Sequence, residues 1–361
     1  MAARPSTVQG SGIFVQSGVI TDDSTILEVT RGPSTFIITV HFADIEHTSW
    51  GQDYLRSIGK LPSLKNLEKL SWSECHDLVL TKCLPITLEL SPISSIQGQP
   101  LEVLCSAPTY RLQLLANNNG EGDGVLVQIH GDVTYEPSHN LLPMPVSELP
   151  ASCNAITRIP ASSITLATVE GETDPRAMDN PQGKVYLSDG RPMYYKPERG
   201  HGIAFKRELD ILGRIDQFRL HHDGSSRLSC LEAIVTTGVY DEFAVGMLLH
   251  LIPCSTSGGD FLAKRVRARV EMHGRWKAQV VAMVEVLHDH DLVWGDVNAG
   301  NVVIDDSDNA WIIDLGGSNN PEFVDDQLRE TKEGDWQGVR RLFDQWLPKN
   351  RSLTNEEMWR S

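Results

Sequence analysis

Positive charge is scarce in this chain: 32 Lys and Arg stand against 48 Asp and Glu in 361 residues, a net charge of −16. A protein held to nucleic acid by its overall field needs clustered cations for the phosphates, so nucleic acid is excluded as the expected partner. A local basic pocket for one polyphosphate ligand is not excluded. No run of 18 apolar residues occurs, so neither a membrane-spanning helix nor a membrane partner is expected. The start, MAARPSTVQGSG, has no apolar core of the kind a secretory signal carries. The six cysteines, at 75, 83, 105, 153, 230 and 254, form no C-x-x-C pair and show no metal spacing. They read as reduced, mostly buried thiols. The expected compartment is the cytoplasm, with the nucleus as the alternative. What is present in quantity is apolar: 40% hydrophobic residues suffice for a real core, at a length that suits two domains.

Charge density divides the chain. Residues 1–155 hold 8 basic and 16 acidic residues, and residues 156–361 hold 24 and 32. Near the change lie prolines at 137, 143, 145, 150 and 160. Proline removes a donor and restricts its predecessor, which suggests an extended linker over 151–162 between a domain at 1–150 and one at 163–361. The first part reads as β-rich, with strands over 34–42, 77–90, 101–105 and 124–133 and a helical stretch around 51–70. Its His41, His47 and His76 are scattered and read as structural. The glycine-containing 117–124 reads as a hairpin-like loop. No catalytic constellation is expected in this part.

The second part begins with strands over 163–172, 183–187 and 191–197, followed by a helix over 204–218 whose Leu209, Leu212 and Ile215 share a face. Strands follow at 231–238 and 244–252. The longest helical pattern, 265–290, spaces Trp276, Val280, Val284 and Leu287 three or four apart, a core stripe. Two alternating strands, NVVID and AWIID, flank the polar turn 306–309, and a last amphipathic helix spans 333–347. The acidic 305–309 lacks the central Gly and closing Glu of a calcium loop. His288 and His290 suit a helix C-terminus rather than a metal. The order is α+β with two lobes, at about 163–252 and a shorter 253–361.

Residues 292–317, LVWGDVNAGNVVIDDSDNAWIIDLGG, carry the chemistry. Phosphoryl transfer needs a carboxylate to orient the attacking hydroxyl, oxygen ligands for magnesium and cations on the phosphates. Asp296 supplies the first, and Asn301 and Asp314 supply the oxygens.

This segment resembles the protein-kinase-like superfamily: WGDVNAGN stands where kinases carry H-R-D-x-K-x-x-N, and DLG where they carry D-F-G. It is most similar to fungal kinase-like proteins with a W-G-D loop and a downstream T-x-x-G-D, here Thr331 to Asp335. The resemblance covers roughly residues 160–347 and implies a two-lobed protein-kinase-like domain behind a β-rich N-terminal domain. It implies a Mg-ATP-dependent phosphotransferase, with ATP and Mg²⁺ as cofactors and an acceptor hydroxyl of unknown identity. In this scheme Lys196 grips the α/β-phosphates, Glu208 holds the lysine, and Gly183 and Val185 contact the nucleotide. Asp296 is catalytic, Asn301 and Asp314 bind the metal, and Asp335 bonds the catalytic-loop backbone.

Departures from the pattern are plain. The segment between the first two strands, GETDPRAMDNPQG, is acidic and lacks G-x-G-x-x-G. Tyr194 stands in place of the small adenine-lining alanine, Asn298 in place of the catalytic-loop lysine, and Trp294-Gly295 in place of His-Arg. Only 26 residues follow Asp335, too few for a full peptide-docking lobe. The alternative is a pseudokinase or scaffold that binds partners, with or without nucleotide, whose partner surface includes the N-terminal β module.

Overall fold

A computed structural model describes residues 11–62, 70–117, 124–138, 141–168, 180–200, 202–220, 227–254, 260–265, 269–318 and 320–350. The expected loop at 117–124, the end of the expected helical stretch at 51–70 and the acidic segment at 171–179 fall largely outside these ranges. The chain is mixed α+β and divides into two units, one of residues 1–141 and 166–181 and one of residues 142–165 and 182–361.

The first unit is β-rich. Strands β1 (Ile13–Ile20), β2 (Ser24–Arg31), β3 (Ser34–His41), β4 (Ala107–Ala116) and β5 (Val125–Ile129) lie side by side in that order, and β6 (Thr134–Glu136) also pairs with β4. All pairs are antiparallel except β3 with β4. That one parallel pair dictates the connection, because a parallel return needs a crossover rather than a hairpin. Between β3 and β4 the chain runs through helices, among them α1 (Ser49–Ser57) and α2 (Trp72–Leu90). The strands expected at 77–90 and 101–105 are therefore helical: the first is α2 and the second a short turn, Glu102–Cys105. The β-branched residues of 77–90 suggested a strand, yet a capping box on Ser71 and Glu74 starts a helix. Cys75, Val79, Leu80, Cys83 and Thr87 then fall on its buried face. That face belongs to a core with Leu27, Phe36, Ile38, Leu112 and Leu114 of the sheet.

The second unit contains a sheet of order β8-β12-β13-β11-β10-β9, with β7 beside β13. Its strands are β7 (Met144–Pro145), β8 (Thr157–Pro160), β9 (Ile164–Leu166), β10 (Gly183–Leu187), β11 (Pro192–Pro197), β12 (Leu231–Thr237) and β13 (Phe243–His250). Helix α3 (Gly202–Gln217) joins β11 to β12. Then follow β14 (Asp260–Phe261), α4 (His273–Asp289), the hairpin β15 (Val302–Ile304) and β16 (Ala310–Ile312), and α5 (Lys332–Arg340). Residues 151–162 do not form a free linker. A helical turn at Ala151–Cys153 bonds α3 through Ser152 Oγ to Asp210 at 2.8 Å, and β8 pairs in parallel with β12. Of the strand expected at 163–172, Ile164–Leu166 forms β9 and residues 169–172 lie outside the described ranges, while α4, within the helix expected at 265–290, starts at His273. The α4 stripe Trp276, Val280, Val284 and Leu287 is buried in one core with Leu209 and Leu212 of α3 and with the β15–β16 hairpin. Among the described residues, no helix is long and apolar enough to cross a membrane.

Candidate active site

Lys196 lies on β11, opposite Met247 of β13. Alternation along the strand puts it on the face that α3 covers. Its Nζ donates to Glu208 Oε2 at 2.6 Å and to Asp314 Oδ1 at 3.0 Å. The side chains are graded in exposure, 3% for Glu208, 22% for Lys196 and 43% for Asp314. Glu208 is thus an internal anchor, while Asp314 is open to an incoming group. Burial disfavours the ammonium, but Glu208 and Asp314 outweigh it and hold Lys196 above the ordinary lysine range. The same burial pushes the Glu208 carboxyl up against the pull of Lys196.

The loop before β15 is built on its backbone. Asp335, 1% exposed on α5, accepts from the Trp294 and Gly295 amides at 2.9 and 2.8 Å, and pairs with His288 Nε2 of α4 at 2.9 Å. Thr331 caps α5 by accepting from Gly334 N at 3.0 Å, which fixes the turn that presents Asp335. The indole of Trp294 is fully buried and donates to Ile313 O at 3.2 Å. Asn301 directs its amide nitrogen to Asp296 Oδ2 at 2.7 Å and Asp296 O at 3.0 Å. That leaves the amide oxygen Oδ1 to act as an acceptor. The hairpin register joins Asn301 to the other strand, since Ile313 N donates to Asn301 O at 3.1 Å, and Asp314 is the next residue. Asp314 itself has φ +57, a left-handed backbone uncommon for a residue with a side chain. Desolvation raises the Asp296 carboxyl above its usual range, opposed by hydrogen bonds from Asn301 and Asn298.

The structure brings Lys196, Glu208 and Asp314 into one bonded group and Asp296 and Asn301 into another, with Asn301 paired beside Asp314. Gly183 opens β10 at φ +137, where an added Cβ would meet open space. Val185 does not join the group. It pairs with Met193, and directly paired residues point to one face, so it lies on the side opposite Lys196 and is fully buried. The residue on the Lys196 side is Lys184, exposed and opposite Tyr194. The Tyr194 hydroxyl accepts from Gln182 Nε2 at 2.9 Å. Sequence reasoning missed Arg207, whose guanidinium donates to the carbonyls of Val293 and Leu315. No motif names it; the signal available was a pair of glycines, Gly295 and Gly317, that both adopt positive φ beside it. It also missed the His288–Asp335 bond, having read His288 through the helix dipole alone.

Among the described residues, no group of three or more His, Cys, Asp and Glu is placed to hold a metal ion. A magnesium held jointly with a nucleotide needs less, one or two protein oxygens beside phosphates and waters. The donor set of Asp314 and Asn301 Oδ1 fits that requirement. No protein-family model matches the chain, and no curated protein matches it.

Proposed function

We propose that the second unit is a Mg-ATP-dependent phosphotransferase of protein-kinase-like fold, acting on an acceptor hydroxyl. The observation that carries this reading is the contact of Lys196 with both Glu208 and Asp314, from a strand, a helix and the segment after a hairpin. Lysine–glutamate pairing and the metal-binding aspartate are the two elements that must be in place together in this class of site. The order of elements supports it further: lysine strand, glutamate helix, Asp296–Asn301 loop, hairpin, Asp314.

In the proposed reaction Lys196, held by Glu208, turns its ammonium to the nucleotide phosphates. Magnesium, when bound by Asp314 and Asn301, would neutralise charge on the transferring phosphate oxygens. Asp296 orients the acceptor hydroxyl and takes its proton as the acceptor O–P bond forms and the bond from γ-phosphorus to the β-phosphate oxygen breaks, releasing ADP. The raised Asp296 carboxyl suits a proton acceptor better than an ordinary aspartate.

A second reading, a nucleotide-binding or nucleotide-free scaffold, is favoured by one observation. Tyr194 lies on the Lys196 face and is tied by Gln182, where the resemblance implies a small residue beneath adenine. γ-Phosphate-labelled ATP with magnesium separates the two. Label released or transferred by the wild-type chain, and lost in Asp296→Asn, supports the phosphotransferase. Bound nucleotide without release or transfer to any hydroxyl, including the chain's own, supports the scaffold.

A further inference from the structure

Arg207 immediately precedes Glu208 on α3, and its side chain crosses to two other segments. Its Nη2 donates to Val293 O at 3.1 Å, and its Nη1 donates to Leu315 O and, more weakly, to Trp294 O at 3.4 Å. Glu330 stands 3.9 Å from Nε as counter-ion, and the guanidinium side chain is only 20% exposed. Two glycines flank it. A Cβ on Gly295 would fall 2.5 Å from Nη2, and one on Gly317 would fall 2.7 Å from Nη1. Both have positive φ, +81 and +72. The planar fork of arginine donates in several directions at once, which a lysine ammonium at this position could not reproduce. The two segments also meet directly, Ser318 N donating to Gly295 O at 3.4 Å.

We propose that Arg207 is the positioning residue of this site, a clamp that sets the Asp296 loop and the Asp314 segment in register with α3. One helix turn then governs both halves of the site, Glu208 holding Lys196 and Arg207 holding the backbone on either side of the two aspartates. Displacing α3 would release the lysine and both aspartate segments together. The role rests on the phosphotransferase reading only for what the clamp positions; the clamp itself is a property of the ligand-free chain.

The test has two arms on the full-length protein with Arg207→Ala, Arg207→Lys and, as a control, Arg214→Ala, which removes an α3 arginine bonded to His290 O instead. The first arm is amide hydrogen exchange without nucleotide. Losing charge-assisted bonds is expected to speed exchange by about tenfold at 293–297 and 314–318, with α4 unchanged and Arg214→Ala like wild type at those segments. Unchanged exchange there, or exchange raised evenly across the unit, overturns the clamp. The second arm compares ATP affinity with magnesium and with a chelator. Arg207→Ala is expected to lose about tenfold of the magnesium-dependent gain while chelated ATP binds nearly as in wild type, and Arg207→Lys is not expected to restore it. If exchange responds but the magnesium gain persists, the positioning role is wrong. If wild type binds no ATP in either condition, the functional reading fails and the exchange arm alone decides the clamp. Should Arg207→Ala not fold, Arg207→Lys, which keeps the charge and the stem, carries both comparisons.

Discussion

Asp296 is pulled two ways, since burial raises its carboxyl while Asn301 and Asn298 bond it in its charged form. A proton acceptor must be ionised, so activity is expected to fall as pH drops through the raised value, with a midpoint above the ordinary aspartate pKa of about 4. A pH profile of kcat/KM checks this. Folding responds in the opposite sense. A carboxyl raised on folding contributes stability that is fully present below its unfolded pKa and is lost as pH rises through its folded value. Asp296→Asn is therefore expected to stabilise the chain at neutral pH in denaturant titration while lowering kcat by about 100- to 10,000-fold. Lys196 poses the opposite case. Lys196→Ala takes from Glu208, 3% exposed, the ammonium it pairs with, and breaking such a pair is expected to cost about 3–5 kcal/mol in urea unfolding. Asp296 stands out in the sequence because the W-G-D-x-x-x-x-N spacing is fixed, whereas Lys196 is singled out only through the resemblance, by its place on the third strand. Val185 lies on the face opposite Lys196, because a shift of one position turns a strand residue to the other face. Arg207 was invisible because its partners are backbone carbonyls, which any residue can supply.

Helix α5 shows what a short element contributes to a distant loop. Asp335 satisfies two buried backbone amides and His288 at once. Asp335→Ala leaves those donors unpaired and is expected to cost about 3 kcal/mol or more, read as a lower urea midpoint at unchanged slope. Thr331→Ala removes the cap together with the hydroxyl's 2.7 Å bond to Leu328 O and is expected to cost about 1 kcal/mol. The T-x-x-G-D start made this helix readable. Helix α2 was not, because Val79, Ile86 and Thr87 favour strands by propensity, while the parallel β3–β4 pairing that demands a crossover is a long-range fact. The locally visible clue was the capping box at Ser71 and Glu74.

At the scale of the molecule, the division into units cuts the chain three times, so that residues 142–165 belong with 182–361. Prolines at 145, 150 and 160 suggested a linker, yet Pro160 ends an edge strand, a position where a missing donor does no harm. A fragment starting at 163 lacks β7 and β8 and leaves the β12 edge unpaired. It is expected to unfold at lower temperature and scatter more light than one starting at 142. The net charge of −16 is compatible with the proposed phosphate ligand because the cation assigned to it, Lys196, is local and set between carboxylates. That placement is the centre of the account, and thermal unfolding of the full chain with and without Mg-ATP tests it most directly. Nucleotide at about 100 times its dissociation constant is expected to stabilise wild type by about 2.7 kcal/mol, with the shift lost in Lys196→Ala and reduced in Asp314→Asn. An unshifted wild type at millimolar Mg-ATP, or an undiminished shift in Lys196→Ala, would contradict it.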